Sequence, residues 1–145
     1  MQIQQYLALV KKSEAVYQKF CQSVIRDWNL NPTSFQAIMF FANNPKYNTA
    51  RDLCHIRGIK TGIASVAIEQ LIQDGYLERH TDSADRRIQR LYVTEKAADL
   101  VEQGRQVQQD FATTISGALT EEEMELYFKL NEKLIQRIDE LERSL

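Results

Sequence analysis

The fold of this 145-residue chain is restricted most by a change of period at Gly75. Ahead of it, Thr49-Ala-Arg-Asp52 has the spacing of a capping box and predicts a short helix that buries Leu53 and Ile56 and stops at Gly58. Thr61 is placed to cap a second helix with Ala64, Ala67, Ile68 and Leu71 on its inward face, closed by Gly75. Beyond Gly75 the helical period is lost. Tyr76–His80 and Ile88–Val93 are β-compatible runs flanking the polar stretch Thr81–Asp85, which predicts a hairpin with a charged tip. Two helices joined by a tight glycine-containing turn form a helix-turn-helix pattern, here followed at short range by a wing-like hairpin.

The flanks are helical by periodicity. Ile3, Leu7, Val10, Tyr17, Phe20, Val24 and Trp28 recur at three- and four-residue steps, and Asn31-Pro32 reads as the cap and first position of a helix carrying Phe35, Ile38, Met39 and Ala42. Thr94 is placed to cap a long helix striped by Ala97, Val101, Gly104, Val107, Phe111 and Ile115. Thr120-Glu-Glu-Glu123 opens a last helix with Met124, Tyr127, Asn131, Leu134, Ile138, Leu141 and Leu145 on one face. The expected architecture is mainly α with one small β-hairpin: a single domain over 1–145, with a winged helix module at 32–93 between helices at 1–30 and 95–145. A hydrophobic content of 43% is enough for a core, but the end helices carry more apolar face than the small module can cover. A second copy of the chain is the simplest cover, so the end helices are read as dimerisation helices of a homodimer.

Charge is unevenly spread. The net charge is −2, yet residues 1–48 sum to +3, 49–93 to +1 and 94–145 to −6, so the acid sits in the last third. No run approaches the roughly 18 apolar residues of a membrane span, and the polar start Met1-Gln-Ile-Gln-Gln lacks the pattern of a leader, which predicts no membrane partner and a cytoplasmic protein. Cys21 and Cys54 are far apart and suit a reducing compartment; buried structural thiols are preferred here over redox sensors. Cys54-His55 with His80 completes no ligand spacing, so neither metal nor cofactor is expected. No phosphate loop, nucleophile elbow or His-Glu-x-x-His is present. The chain is therefore read as a non-enzyme without catalytic residues.

Four segments in order, Ile59-Lys-Thr-Gly-Ile-Ala-Ser-Val-Ala-Ile-Glu-Gln-Leu71, Gly75-Tyr-Leu-Glu-Arg79, Asp82-Ser-Ala-Asp-Arg-Arg87 and Leu91-Tyr-Val-Thr-Glu-Lys96, resemble the MarR family of winged helix-turn-helix transcriptional regulators. The match is tightest over 49–96. The resemblance implies a sequence-specific regulator that binds double-stranded DNA as a homodimer on a pseudo-palindromic site. The helix from Thr61 would enter the major groove and the wing an adjacent minor groove. Thr61, Gly62 and Ser65 match DNA-facing positions, while Val66 stands where an arginine commonly follows the serine and offers only apolar contact to a thymine methyl. Arg86 and Arg87 are the candidates for the minor groove, Asp85 for holding the wing, and Arg51, Arg57 and Lys60 for phosphates. An effector pocket for a small molecule is implied near Tyr17, Phe20, Met39 and Phe40, where ordinary core is the competing reading. The rival function is a winged helix dimer that binds a protein partner and has weak or no DNA affinity, kept open by Val66 and the low local charge.

Overall fold

The computed structural model describes residues 2–145, and among these the chain forms six α-helices and one antiparallel hairpin. Helix α1 is Ile3–Asp27, α2 Pro32–Asn43, α3 Ala50–Arg57 and α4 Thr61–Gln73; strands β1 (Leu77–Thr81) and β2 (Gln89–Val93) follow, then α5 (Ala98–Ser116) and α6 (Glu121–Ser144). Residues up to Gln108 make one compact unit, and Gln109–Leu145 a second.

Helix starts follow their caps. The Asn31 side chain accepts from the Ser34 N–H, with Pro32 in the first turn, where its missing N–H costs nothing. Thr49 and Asp52 form a reciprocal capping box on α3, as Thr120 and Glu123 do on α6. Gly58 ends α3 in the left-handed region at φ 66°, a conformation that costs glycine least. Two other expected caps are absent. Thr61 is the first residue of α4 and the cap position belongs to Lys60, whose side chain makes no capping bond. Thr94 also makes none: its side chain is turned to donate to the Gly75 carbonyl, and a 3-10 turn at Glu95–Ala97 precedes α5. That bond ties the end of β2 to the end of α4.

The core of the first unit gathers Cys21 and Val24 of α1 with Phe35, Ile38, Met39, Phe40 and Phe41 of α2. Leu53, Ala64, Ile68 and Leu71 join them from the helix-turn-helix, Leu77 and Leu91 from the hairpin, and Leu100 and Val101 from α5. Gly104 of α5 has a packing reason: a Cβ there would sit 2.4 Å from the Met39 sulfur, far inside contact distance. Ile56 departs from its expected place. Leu53 takes the inward position of α3, and Ile56, three residues on, remains 49% exposed. In the sheet Leu77 pairs with Val93 and Arg79 with Leu91, so the face bearing Leu77 and Leu91 turns to the core and the strands run outward to the tip at 82–88.

Candidate nucleic-acid interface

Helix α4 has two unlike faces. Ala64, Ala67, Ile68 and Leu71 are buried, whereas Thr61, Gly62, Ser65, Val66 and Glu69 are exposed. The last four follow one another at steps of three, one and three residues, which puts them on one side of the helix, turned from the core. At Gly62 an added Cβ would meet nothing within 4 Å, so the chain's own packing does not require glycine there. Lys60, Arg51 and Arg57 are exposed, Arg51 in the first turn of α3, Arg57 at its end and Lys60 just before α4.

The wing is held at two levels. At its tip Arg87 donates to Asp85 through Nε at 3.1 Å and a terminal nitrogen at 3.0 Å, and its backbone N–H donates to the same carboxylate at 3.0 Å. The Arg87 side chain is nonetheless 90% exposed. Arg86 is exposed, and among the described residues no ion pair holds it. Deeper in the hairpin, Arg90 donates to Asp82 at 2.9 Å and to the Asn48 side chain at 2.9 Å, while the Asn48 carbonyl accepts from the Leu91 N–H at 2.8 Å. Asp82 also accepts the N–H groups of Ala84 and Asp85, which folds the loop back on itself. The bond from Arg90, then those two N–H groups, hold the Asp82 carboxyl below its ordinary value. Arg87 does the same for Asp85.

Between helix and wing lies a cleft of about 490 Å³ lined by Ala50, Ser65, Ile68, Glu69, Arg79, Gln89 and Leu91. The Arg79 guanidinium of β1 is ion-paired with Glu69 of α4. Sequence reasoning missed this pair and the Asn48–Arg90–Asp82 strut. An aspartate opening a polar turn was a legible signal for Asp82, since such residues bond the backbone two or three places on. Nothing in the sequence joins Arg90 to Asn48, 42 positions away.

The four residues expected around an effector pocket are placed unequally. Met39 and Phe40 are fully in the core, and Tyr17 and Phe20 are half-buried on α1. The Tyr17 hydroxyl accepts from the Gln108 side chain at 2.9 Å, and burial pushes its phenol up against the opposing effect of that bond. Burial likewise pushes up the Cys21 thiol, as for an inert core cysteine. The Asn43 side chain donates to Gln108 at 2.9 Å, and Arg105 reaches back to the Ala42 carbonyl at 3.0 Å, tying the end of α2 to α5. Among the described residues no group of three His, Cys, Asp or Glu side chains is arranged to hold a metal ion, and no helix is long and apolar enough to cross a membrane.

The family model described as MarR family matches residues 28–88, the span from the end of α1 to the wing. The HTH-type transcriptional regulator BilQ of Clostridium symbiosum (strain WAL-14163) is 25% identical over 115 residues, 79% of each chain. Among solved structures, a MarR transcriptional regulator from Methanosarcina mazei Go1 superposes with a TM-score of 0.75 at 17% identity, covering 94% of this chain and 98% of its own. The S. aureus MepR–DNA complex gives 0.73 at 17% identity, with 90% and 94% covered. At such identities the likeness of these structures is one of fold, while the family match falls on the helix-turn-helix and wing themselves. The helix-turn-helix and most of the wing of this chain thus match the MarR family model, and the fold that carries them is similar to that of MarR-type winged helix structures.

Proposed function

We propose that this protein is a transcription regulator that binds double-stranded DNA in a sequence-specific way, as a homodimer, in the cytoplasm. The observation that carries the reading is the outward face of α4, where Gly62, Ser65 and Val66 are exposed in a segment matched to the MarR family. Short side chains on an exposed helix let it approach base edges closely, and the exposed Lys60, Arg51 and Arg57 are the candidates for phosphate contacts. A related fold is known in complex with DNA, that of S. aureus MepR. Arg86 reaches from the wing to the minor groove, and Asp85 keeps the tip in shape by holding Arg87. The dimer is formed by the end helices, whose exposed Leu134, Ile138 and Leu141 need cover. A small effector acting at Tyr17 and Phe20 is part of the same reading, since both are half-buried on α1 and Tyr17 is joined to α5 through Gln108.

One observation favours a second reading, a protein-binding winged helix: Ile56, Ile63 and Val66 are all exposed near the helix-turn-helix, and residues 49–93 carry only +1. Selection of bound fragments from random duplexes, followed by anisotropy titrations at several salt concentrations, separates the two. The DNA reading expects enriched sites with two-fold symmetry, half-site centres about 10 bp apart or a multiple of that. It also expects affinity that falls linearly on a log–log plot against salt. Absence of any enriched duplex, or of salt dependence, favours the protein partner.

A further inference from the structure

We infer, resting on the DNA-binding reading above, that Val66 selects a thymine in each half-site by packing on its C5 methyl group. Val66 is 71% exposed at the middle of the outward face of α4, whose opposite face is closed by Ala64, Ala67, Ile68 and Leu71. The longer polar side chains that follow it are already engaged: Glu69 is ion-paired with Arg79, and Gln70 donates to Asp74 at 3.1 Å. Beyond the first turn, where Ile63 is also exposed, what the helix offers to a base edge is therefore the Ser65 hydroxyl and the two methyl groups of Val66. A hydroxyl both donates and accepts, so it discriminates little between bases.

Val66 discriminates by a different route. Thymine is the one base whose major-groove edge carries an apolar group, and the other edges present only donors and acceptors that lose their water against a hydrocarbon and gain no bond. Valine is stiff at χ1 in a helix, so it presents its methyl groups with little entropy to lose on contact. Gly62, one turn earlier on the same side, has open space where a Cβ would stand, although glycine weakens a helix relative to alanine. The surface beside Val66 is thus left low enough for a base edge to come close.

The test removes the methyl group and nothing else. In the duplex selected by the wild-type protein, each thymine is replaced in turn by deoxyuridine, symmetrically in both half-sites, and binding is read by anisotropy at fixed salt. One thymine per half-site is expected to respond, with a loss of about fourfold per methyl and roughly 14-fold for the pair, the scale of burying one such group. Against Val66→Ala, checked for an unchanged melting curve and oligomeric state, the same replacement should change affinity less than about twofold. Deoxyuridine tolerated at every thymine overturns the assignment while leaving DNA binding intact. So does an equal loss with wild type and Val66→Ala. Failure of the wild type to enrich any duplex overturns the DNA-binding reading itself, and this one with it.

Discussion

Helices α4 and α6 carry similar sequence patterns and end differently. Both set apolar residues at three- and four-residue steps, yet α4 buries Ala64, Ala67, Ile68 and Leu71, and α6 buries no residue along Glu121–Ser144. In α4 the apolar stripe is narrow and is met by α2, α3 and the hairpin. In α6 it is broad, running from Tyr127 and Phe128 through Leu134 and Ile135 to Ile138 and Leu141, all exposed in the single chain. Periodicity thus tells which face needs cover, and it does not tell who supplies it. A face met inside the chain makes a fold; one that is not calls for cover from elsewhere, which is the ground for the dimer proposed above.

The same substitution chemistry applied to both helices breaks or sharpens that contrast. Leu71→Asp places an unpaired charge where the wild type has no exposed area, at a cost of several kcal/mol, comparable with the roughly 5–15 kcal/mol that hold a domain together. Urea titration should show the winged helix unfolded or nearly so at every protein concentration. Ile138→Asp should instead dissociate the proposed dimer, with sedimentation velocity at micromolar protein reporting a single-chain mass while the circular dichroism of the winged helix is retained. A wild-type protein that is itself monomeric there, or a variant that stays dimeric, would remove α6 from the interface.

The sequence was most legible where structure is local. Capping boxes at Thr49 and Thr120, the Asn31-Pro32 start and the Gly58 stop were readable because each involves residues within one turn. Thr61 and Thr94 misled for different reasons: Thr61 already lies inside the helix it was expected to cap, and the Thr94 side chain is turned toward a distant carbonyl and away from the N–H groups it would accept. The Thr94 hydroxyl finds the Gly75 carbonyl, 19 positions back, a partner set by tertiary structure. Ile56 was expected inside because it keeps helical spacing with Leu53, but α3 is only eight residues long and turns Leu53 and, in part, Cys54 to the core. Of the candidate interface, the residue types on α4 and at the wing tip were legible, while the partners that fix the wing were not. Asn48 is held to Arg90 by chain reversal over α3 and α4, which no local pattern encodes.

Within the wing a second contrast can be sharpened. Arg87 is engaged by Asp85 and Arg86 is not, so the two arginines should contribute unequally to DNA binding. Arg86→Ala is expected to weaken binding to the selected duplex by about 5- to 100-fold, the range of a charged groove or phosphate contact, and to leave the melting temperature unchanged. Arg87→Ala should cost less and act through the shape of the tip, so that Asp85→Ala reproduces much of its effect. Equal losses from Arg86→Ala and Arg87→Ala, with Asp85→Ala harmless, would make both arginines direct contacts.

The smallest effect concerns acid and separates the base of the wing from its tip. Asp82 and Asp85 both have carboxyls held below the ordinary value of 3.8, Asp82 chiefly by Arg90 and Asp85 chiefly by Arg87. A carboxyl lowered in the folded state contributes stability that is present above its unfolded pKa and is lost as pH falls through its folded one. The wing should therefore be indifferent to pH from 7 down to about 4 and loosen below that. Carboxyl-carbon chemical shifts followed through an acid titration should show midpoints below 3.8 for both groups. Their consequences differ. Arg90 also holds Asn48, so protonating Asp82 frees a strut between the hairpin and the segment before α3, whereas protonating Asp85 frees only an exposed arginine at the tip. In a melting curve measured against pH, Asp82→Asn should flatten the decline below pH 4 more than Asp85→Asn does. The Asp85 change should shrink more as salt is raised, because the Arg87–Asp85 pair faces solvent and is screened, while Arg90–Asp82 is part-buried. A midpoint at or above the ordinary value for Asp82, or identical curves for the two variants, would deny the base of the hairpin its separate role in holding the wing.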